Sequence, residues 1–551
     1  MWKTVFPPLQ WLKAYSFKNL GYDAVSGLTL AAYAIPVSMA YSTLAGLPPQ
    51  YGIYGYLVGG LFYAMFGTGM QLAVGPTSAI SLLIGATIAT MAHGDVQRWV
   101  EIASLTALIV SVISILAYLL KLNSIINFIS ESVLLGFKAG TAITIALTQL
   151  PKLFGVKGGG SGFFERISIL FSQVPDINFT VLIFGIIAIL LLIVSHKIFP
   201  GRPVAIILVV ASIIVITYTS LNHSGFSVTG AMPPGLPEFR LPSIKLKDID
   251  GLFPMAFACF LLMYIESVSA AKTLAQAGGY EINPRQELLA LAAANLATAF
   301  GQGYPVSGGL SQSVVNSKAG AQTPFSLVFT SLAIAFCLLF LTGPLKNLPD
   351  VMLSSILLVA ISSLVDIKEL KRLWKVSRME FSVAIIALGG VIVFGILKGV
   401  VIAAIASILL LIRAVSEPHI AFLGRIPGTK RYTDINRHPD NEIIPGILMF
   451  RVEAAVLYFN VENIRNHVWE RVQLSDSSIK TVIWDFSTTP YVDIAGARLI
   501  KRLYTDLKEK GISLRIAEAH AEVRDILRME EIEHLMGHIS RKVSVDDLVN
   551  E

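Results

Sequence analysis

"PVSGGLSQSVVN" (Pro305–Asn316) stands inside a long apolar stretch of the chain. It carries one proline, two adjacent glycines, three serines and a glutamine. Such residues weaken helices or compete for backbone hydrogen bonds. Backbone left unpaired in hydrocarbon is costly, so a break at membrane depth is tolerated only inside protein or against a wet cavity. The free amides that begin the next helix then favour an anion, through their unpaired N–H groups and the helix dipole.

The surroundings are those of a membrane protein. The 551 residues are 54% hydrophobic and 15% charged, with a mean hydropathy of +0.66; a soluble domain carries about 25% charge. Apolar blocks such as "VLIFGIIAILLLIV" (Val181–Val194) succeed one another from Leu20 to Ile412, and charges recur every few residues from Ser416 onward. The expected organisation is therefore an N-terminal segment (1–19), a transmembrane domain (20–413) and a linker with a soluble domain (414–551). At about 20 residues per crossing, the middle region holds on the order of 12 to 14 spans.

Lys3, Lys13 and Lys18 precede the first span, and "DIKELKRLWKVSR" (Asp366–Arg378) and "SHKIFPGRP" (Ser195–Pro203) are basic. The positive-inside rule puts all three in the cytoplasm, and an even number of spans returns the C-terminus there. "NHSGFSVTGAMPPGLPEFRLPSIKLKDID" (Asn222–Asp250) is the candidate outer loop. The N-terminal stretch has no cleavable apolar core ending in small residues. The net charge of +6 follows from the loop bias and calls for no nucleic-acid partner. Cys259 and Cys337 lie in apolar segments and read as free buried thiols.

A second break, "QLAVGPTSAISLLIG" (Gln71–Gly85), joins a Gly-Pro-marked piece to an apolar helix. Upstream of each break is a long span that begins Gly-Leu, at Gly27 and at Gly251. Two interrupted segments at matching places in two halves point to a transporter site between inverted repeats. Glu266, in "FLLMYIESVSAAK", is ionisable at membrane depth. It reads as a proton or cation site, as a gate near the substrate, or as a structural carboxylate bonded to a neighbouring helix end. Ser38, Tyr41 and Ser42 flank a span broken by Pro36; Tyr41 suits substrate contact and packing equally. Glu281, Arg285 and Glu287 are expected at the interface, pairing with one another or with the C-terminal domain.

These stretches resemble the sulfate permease family, SulP, whose animal members are the SLC26 anion transporters. Ala34–Gly85 is similar to its first three spans, and Gly279–Pro324 to its second-half signature. The resemblance implies a membrane all-α fold of 14 transmembrane segments in 7+7 inverted repeats. UraA/SLC26-like core (segments 1–4 and 8–11) and gate (5–7 and 12–14) domains would move as an elevator, within a homodimer in the plasma membrane. It implies an anion held between half-helices that start near Gly75 and Gly308. Tyr41, Thr77, Ser311 and Gln312 would face it, beside Ser78 and Gly309, and Glu266 would couple transport to H+ or Na+. Many relatives carry arginine where this chain has Gln312. A glutamine donates hydrogen bonds but brings no charge, so electropositivity would rest on the two helix N-termini.

The tail has a βαβ rhythm. Its loop "DFSTTPYVDIAG" (Asp485–Gly496) resembles the STAS signature, but Ile494 and Ala495 stand where a phosphorylated serine would follow the second aspartate. A docking and dimerisation domain, open to a cytoplasmic regulator, is expected rather than a phosphoswitch. The leading expectation is a secondary active transporter of a small inorganic anion such as sulfate, bicarbonate or chloride. A dicarboxylate carrier, an anion channel or uniporter, and a receptor signalling through the tail are the alternatives. No cofactor is implied, and with no P-loop, metal cluster or nucleophile elbow in the sequence no enzyme is expected.

Overall fold

The computed structural model describes residues 6–12, 15–92, 95–122, 130–160, 162–198, 204–219, 225–243, 246–362, 364–475, 479–536, 539–540 and 542–551. Lys3, Lys13 and parts of the 195–203 and 222–250 loops lie outside them. By contact the chain divides into two compact units, Met1–Ser407 and Ile408–Glu551.

The first unit runs twice through one order of elements. Helices α1 (Phe17–Leu44) and α2 (Gln50–Phe66) lead to a two-residue strand, β1 (Val74–Gly75), and to helix α3 (Ser78–Ala92). Then come α4 (Val96–Leu119), α5 (Glu131–Phe154), the short α6 (Phe163–Ser172), α7 (Phe179–Ile198) and α8 (Val204–Tyr218). The second series repeats the order: α9 (Leu246–Gly278), α10 (Pro284–Phe300), β2 (Ser307–Gly308), α11 (Leu310–Lys318), α12 (Phe325–Phe340), α13 (Asp350–Ser362), the short α14 (Ile367–Val376), α15 (Arg378–Phe394) and α16 (Ile396–Ser416). Each series thus has seven principal helices plus one ten-residue surface helix at the same place.

Local chemistry sets the boundaries. Ser16 caps α1, accepting from the Asn19 amide at 3.3 Å, and Asp95 caps α4 through the Gln97 amide at 2.9 Å. Asn283 caps α10, whose first residue is proline, where no N–H is needed. Gly155, at φ +68°, ends α5 in the left-handed conformation that favours glycine. Among the described residues five runs are long and apolar enough to cross a bilayer: Phe17–Leu44, Val96–Leu119, Glu131–Phe154, Gly251–Gly278 and Asp350–Val376, the last taking in both α13 and α14. On α7 a run of Ile183, Ile187, Leu190, Leu191 and Val194 is exposed, an apolar band of the kind lipid covers.

The two series interlock reciprocally. Helix α4 packs on α10 as α2 packs on α12, and α5 packs on α15 as α7 packs on α13. The main core gathers α1–α4 with α9–α12 and extends into α5, α7, α8, α13 and α15, and a smaller cluster joins α5, α7, α8 and α13. Helix α5 approaches α15 backbone to backbone: a Cβ at Gly136 would stand 1.9 Å from the Ala384 carbonyl oxygen, and one at Gly140 2.8 Å from that of Leu388. Cys259 and Cys337 are buried free thiols. The basic 366–378 stretch forms α14, with Lys368, Lys371, Arg372 and Trp374 exposed and only Leu373 turned inward.

Glu287 departs from the expected interfacial place. It is fully buried on α10 and accepts from the Tyr63 hydroxyl at 2.8 Å and from the Thr68 amide at 2.8 Å. Arg285 instead donates to the Tyr118 carbonyl at 3.2 Å and lies over that ring. Only Gly69 and Met70 separate Thr68 from Gln71 at the entry to β1, so Glu287 secures the approach to the first break.

The second unit is an α/β domain. Its sheet has the order β4-β3-β5-β6-β7, with β3 (Ile420–Arg425), β4 (Tyr432–Asp434), β5 (Ile447–Val452), β6 (Thr481–Asp485) and β7 (Ser513–Ala517). Strands β5, β6 and β7 are parallel, joined through α17 (Val461–Leu474) and α18 (Ile494–Glu509). Buried Trp484 packs between Phe450 and Phe486, and Leu499, Ile500, Leu503 and Leu507 of α18 cover the same core at helical spacing. Asp493 caps α18 through the Gly496 amide at 2.8 Å and also accepts from the Tyr458 amide at 2.8 Å. Both aspartates of the signature loop hold turns: Asp485 accepts from the Ser487 amide at 2.9 Å.

The α5–α15 approach leaves no room for a side chain at position 136. Gly136→Val is expected to lower the thermal unfolding midpoint in detergent, at a cost of about 1–3 kcal/mol for overpacking. Gly389→Ala, where a Cβ meets nothing within 4 Å, should leave the midpoint unchanged.

Candidate functional site

The two breaks meet. Strands β1 and β2 pair antiparallel, Val74 opposite Gly308 and Gly75 opposite Ser307. Helices α3 and α11 start directly after them, so two half-helix N-termini converge on one crossing from opposite sides. The first-turn amides of each half-helix have no intrahelical acceptor. Glycine is required at the crossing because the packing leaves no space for a Cβ. One at Gly75 would stand 2.2 Å from the Tyr56 ring, and one at Gly308 2.8 Å from Leu72.

Side chains satisfy the extended backbone. On β1, the Ala73 amide donates to Ser313 Oγ at 2.9 Å, and the Gln71 carbonyl accepts from Asn316 at 3.1 Å. On β2, Asn295 both accepts from the Val306 amide at 3.0 Å and donates to its carbonyl at 3.1 Å. The Gly308 amide donates to Ser267 Oγ at 2.8 Å. Asn295, Ser267 and Ser313 are all fully buried. None of these struts stood out in the sequence. The available signal was a lone asparagine in the alanine-rich "LLALAAANLATAF".

Glu266, on α9, is partly buried beside the crossing. Its Oε2 accepts from Thr77 Oγ1 at 3.4 Å and from Ser307 Oγ at 3.3 Å, and Ser307 Oγ also donates to Thr77 Oγ1 at 3.2 Å. One carboxylate therefore touches the threshold of each half-helix. Tyr41, buried on α1, brings its hydroxyl to Ser78, with Tyr33, Tyr304 and Glu266 nearby. The Tyr304 and Ser81 hydroxyls are 2.9 Å apart. The Tyr56 hydroxyl is buried without a hydrogen-bond partner.

Of the residues expected to form the site, Tyr41, Gly75, Thr77, Ser78, Glu266 and Gly308 come together here. Gly309 is the cap residue of α11, and Ser311 is exposed on that helix. Gln312 is buried, and its amide is spent on the backbone: it donates to the Ala73 carbonyl at 3.1 Å and the Ser307 carbonyl at 3.4 Å. It ties β1 to β2. One further ionisable residue, Lys138 of α5, lies close enough for its charge to act on Glu266. It is the single cation in "LLGFKAGTAITIAL", and the rule that singled out Glu266 applies to it equally. Among the described residues no group of three or more His, Cys, Asp or Glu is placed to hold a metal ion.

Replacing Asn295 by leucine removes both partners of Val306. We expect a loss of about 1–3 kcal/mol for each backbone group left unpaired, read as a lowered unfolding midpoint.

Comparison with known proteins agrees with this geometry. The sulfate permease family model matches residues 20–387, and the STAS domain model residues 438–545. A probable sulfate transporter of Mycobacterium tuberculosis is 29% identical over 96% of this chain and 95% of its own length. The chloroplastic sulfate transporter 4.1 of Arabidopsis thaliana is 30% identical over 99% of this chain and 82% of its own. Among solved structures, murine Slc26a9 in the inward-facing state superposes with a TM-score of 0.89 at 21% identity, over 99% of this chain and 94% of that one. The transmembrane domain of the cyanobacterial bicarbonate transporter BicA gives a TM-score of 0.62 at 21% identity, over 72% and 98%. Two inverted series of seven segments, the half-helix crossing and a C-terminal STAS domain place this chain in the sulfate permease family, a family of multi-pass membrane transporters.

Proposed function

We propose that the chain is a secondary active transporter of a small inorganic anion, with sulfate first among the candidates. One observation carries the reading: two half-helix N-termini converge on a crossing whose own backbone is already satisfied by side chains. The amides beyond it are then free for an oxyanion, as the orphan donors of helix N-termini are elsewhere. The relatives described as sulfate transporters and the fold shared with a bicarbonate transporter support an anion as cargo.

Tyr41, Thr77, Ser78 and Ser311 would supply hydroxyl donors around Gly75, Gly308 and Gly309, and Gln312 would hold the crossing closed. Glu266 would couple. An ionised carboxylate repels an arriving anion, whereas a protonated or cation-paired one does not, so each binding event favours the other. The core α1–α4 with α9–α12 would carry the site past a gate of α5–α8 with α13–α16. In this reading residues 20–413 transport and 414–551 dock, dimerise and receive any cytoplasmic regulator. The basic α14 and both termini face the cytoplasm of the plasma membrane. Ile494 and Ala495 after Asp493 leave the tail without the serine of a phosphoswitch.

Uptake of labelled sulfate, bicarbonate and succinate into proteoliposomes, with imposed proton or sodium gradients, tests this. Sulfate or bicarbonate should accumulate against its own gradient when one of the two cation gradients is present. Glu266→Gln should abolish that accumulation while leaving downhill uptake. Saturable uptake indifferent to both gradients and to the substitution would sink coupling through Glu266. Selective accumulation of succinate would move the cargo to dicarboxylates.

A further inference from the structure

A cation that does not belong to the crossing, Lys138 of α5, lies within electrostatic reach of Glu266. Helix α5 is locked through Gly136 and Gly140 against the α15 backbone, at the Ala384 and Leu388 carbonyls. At about 100° per residue, Lys138 projects from the opposite side of α5. It stands about 10 Å along the helix, within a hydrocarbon layer about 30 Å thick. Helix α5 also packs against the half-helix α3. Lys138 is partly buried, and among the described residues it makes no ion pair in contact with an acid. One turn on, and also away from the α15 face, Thr141 is fully buried with a hydroxyl that has no hydrogen-bond partner.

The crossing itself brings no cation. Position 312, at the start of α11, is a neutral glutamine whose amide is committed to the Ala73 and Ser307 carbonyls. Helix N-termini alone supply a partial charge of about half a unit each. A divalent oxyanion held there beside an ionised Glu266 would leave the pocket strongly negative in a region of low dielectric. A partly buried ammonium without an acid partner, within electrostatic reach of that carboxylate and on a helix packed against α3, supplies what is missing.

We propose that Lys138 is the charge-recognition residue of the anion site. Its ammonium, carried on the gate side by α5, neutralises an oxyanion held at the β1–β2 crossing and balances Glu266 when the site is empty. This rests on the transporter reading above. It also has a consequence for alternation: the half-helices belong to the core and Lys138 to the gate, so the full charge complement is assembled only where core and gate align as they do here. Anion affinity then differs between the two facing states, and the cation favours release once the core moves away.

The test is the concentration dependence of sulfate and nitrate uptake in proteoliposomes for wild type, Lys138→Met, Lys138→Gln and Lys138→Arg. Sulfate-induced stabilisation of each protein in detergent is measured in parallel, since a ligand that binds only the folded state raises its midpoint. We expect half-saturation for sulfate to rise about tenfold or more in the Met and Gln variants, the equivalent of ~1.4 kcal/mol. The rise for nitrate should be smaller, and the sulfate-induced midpoint shift should vanish although the unliganded midpoint is kept. The Arg variant should stay within about threefold of wild type, because the charge is retained. Wild-type half-saturation in the Met and Gln variants would overturn the proposal. So would an Arg variant as impaired as Met, which marks a packing role. Absence of saturable anion uptake by wild type would instead overturn the transporter reading.

Discussion

Every peptide group that leaves a helix at membrane depth must find a partner, and the crossing of β1 and β2 is where that requirement is most severe. Two extended segments pass each other in antiparallel register, with helices resuming on both sides. Their outward-facing backbone is satisfied by side chains from α9 and α10 and from the half-helix α11. Asn295 comes from α10, Ser267 from α9, and Gln312, Ser313 and Asn316 from α11. The side chains that anchor the β1 segment, Gln312 and Asn316 as donors and Ser313 as acceptor, are thus borne by the half-helix of the other repeat. Neither break could be stable in hydrocarbon alone, which is why each half of the chain needs the other.

Small residues make that mutual support possible. Gly75 lies against the Tyr56 ring and Gly308 against Leu72, while Gly136 and Gly140 bring α5 onto α15. Where backbones touch, dispersion contacts replace the hydrophobic drive that lipid does not supply between helices. The reciprocal packing of α4 on α10 and α2 on α12 extends the arrangement through the core. The result is a rigid frame around a few hydroxyls and one carboxylate.

Electrostatics divide along the same lines. Glu266 spans both half-helix thresholds through Thr77 and Ser307. Gln312, at the start of α11, is neutral and acts as a tie between strands. The remaining charge, Lys138, is held by a different helix. The other buried acid of the region, Glu287, is fully satisfied by Tyr63 and Thr68 and serves architecture. Two carboxylates that look alike in sequence therefore have different fates, set by whether local donors fill their lone pairs.

The sequence by itself determined the kind of protein and where its helices break. Apolar runs, basic loops and the composition change after Ile412 are one-dimensional signals, and hydrocarbon reads them directly. The paired breaks at Gly75-Pro76 and Pro305–Gly309 could be seen because helix-breaking chemistry is local, and Glu266 because a charge in an apolar run is rare. The tail's βαβ order followed from alternation and helical spacing. Tertiary structure alone decided the rest. That Asn295 and Ser267 are struts, that Gln312 turns to backbone, that Glu287 is buried among donors and that Lys138 lies within electrostatic reach of Glu266 all depend on which separate segments meet, from 11 residues apart for Asn295 and Val306 to 239 for Gln312 and Ala73. A hydrogen bond or a charge pair between distant segments leaves no periodicity in either one, so only the folded chain shows it.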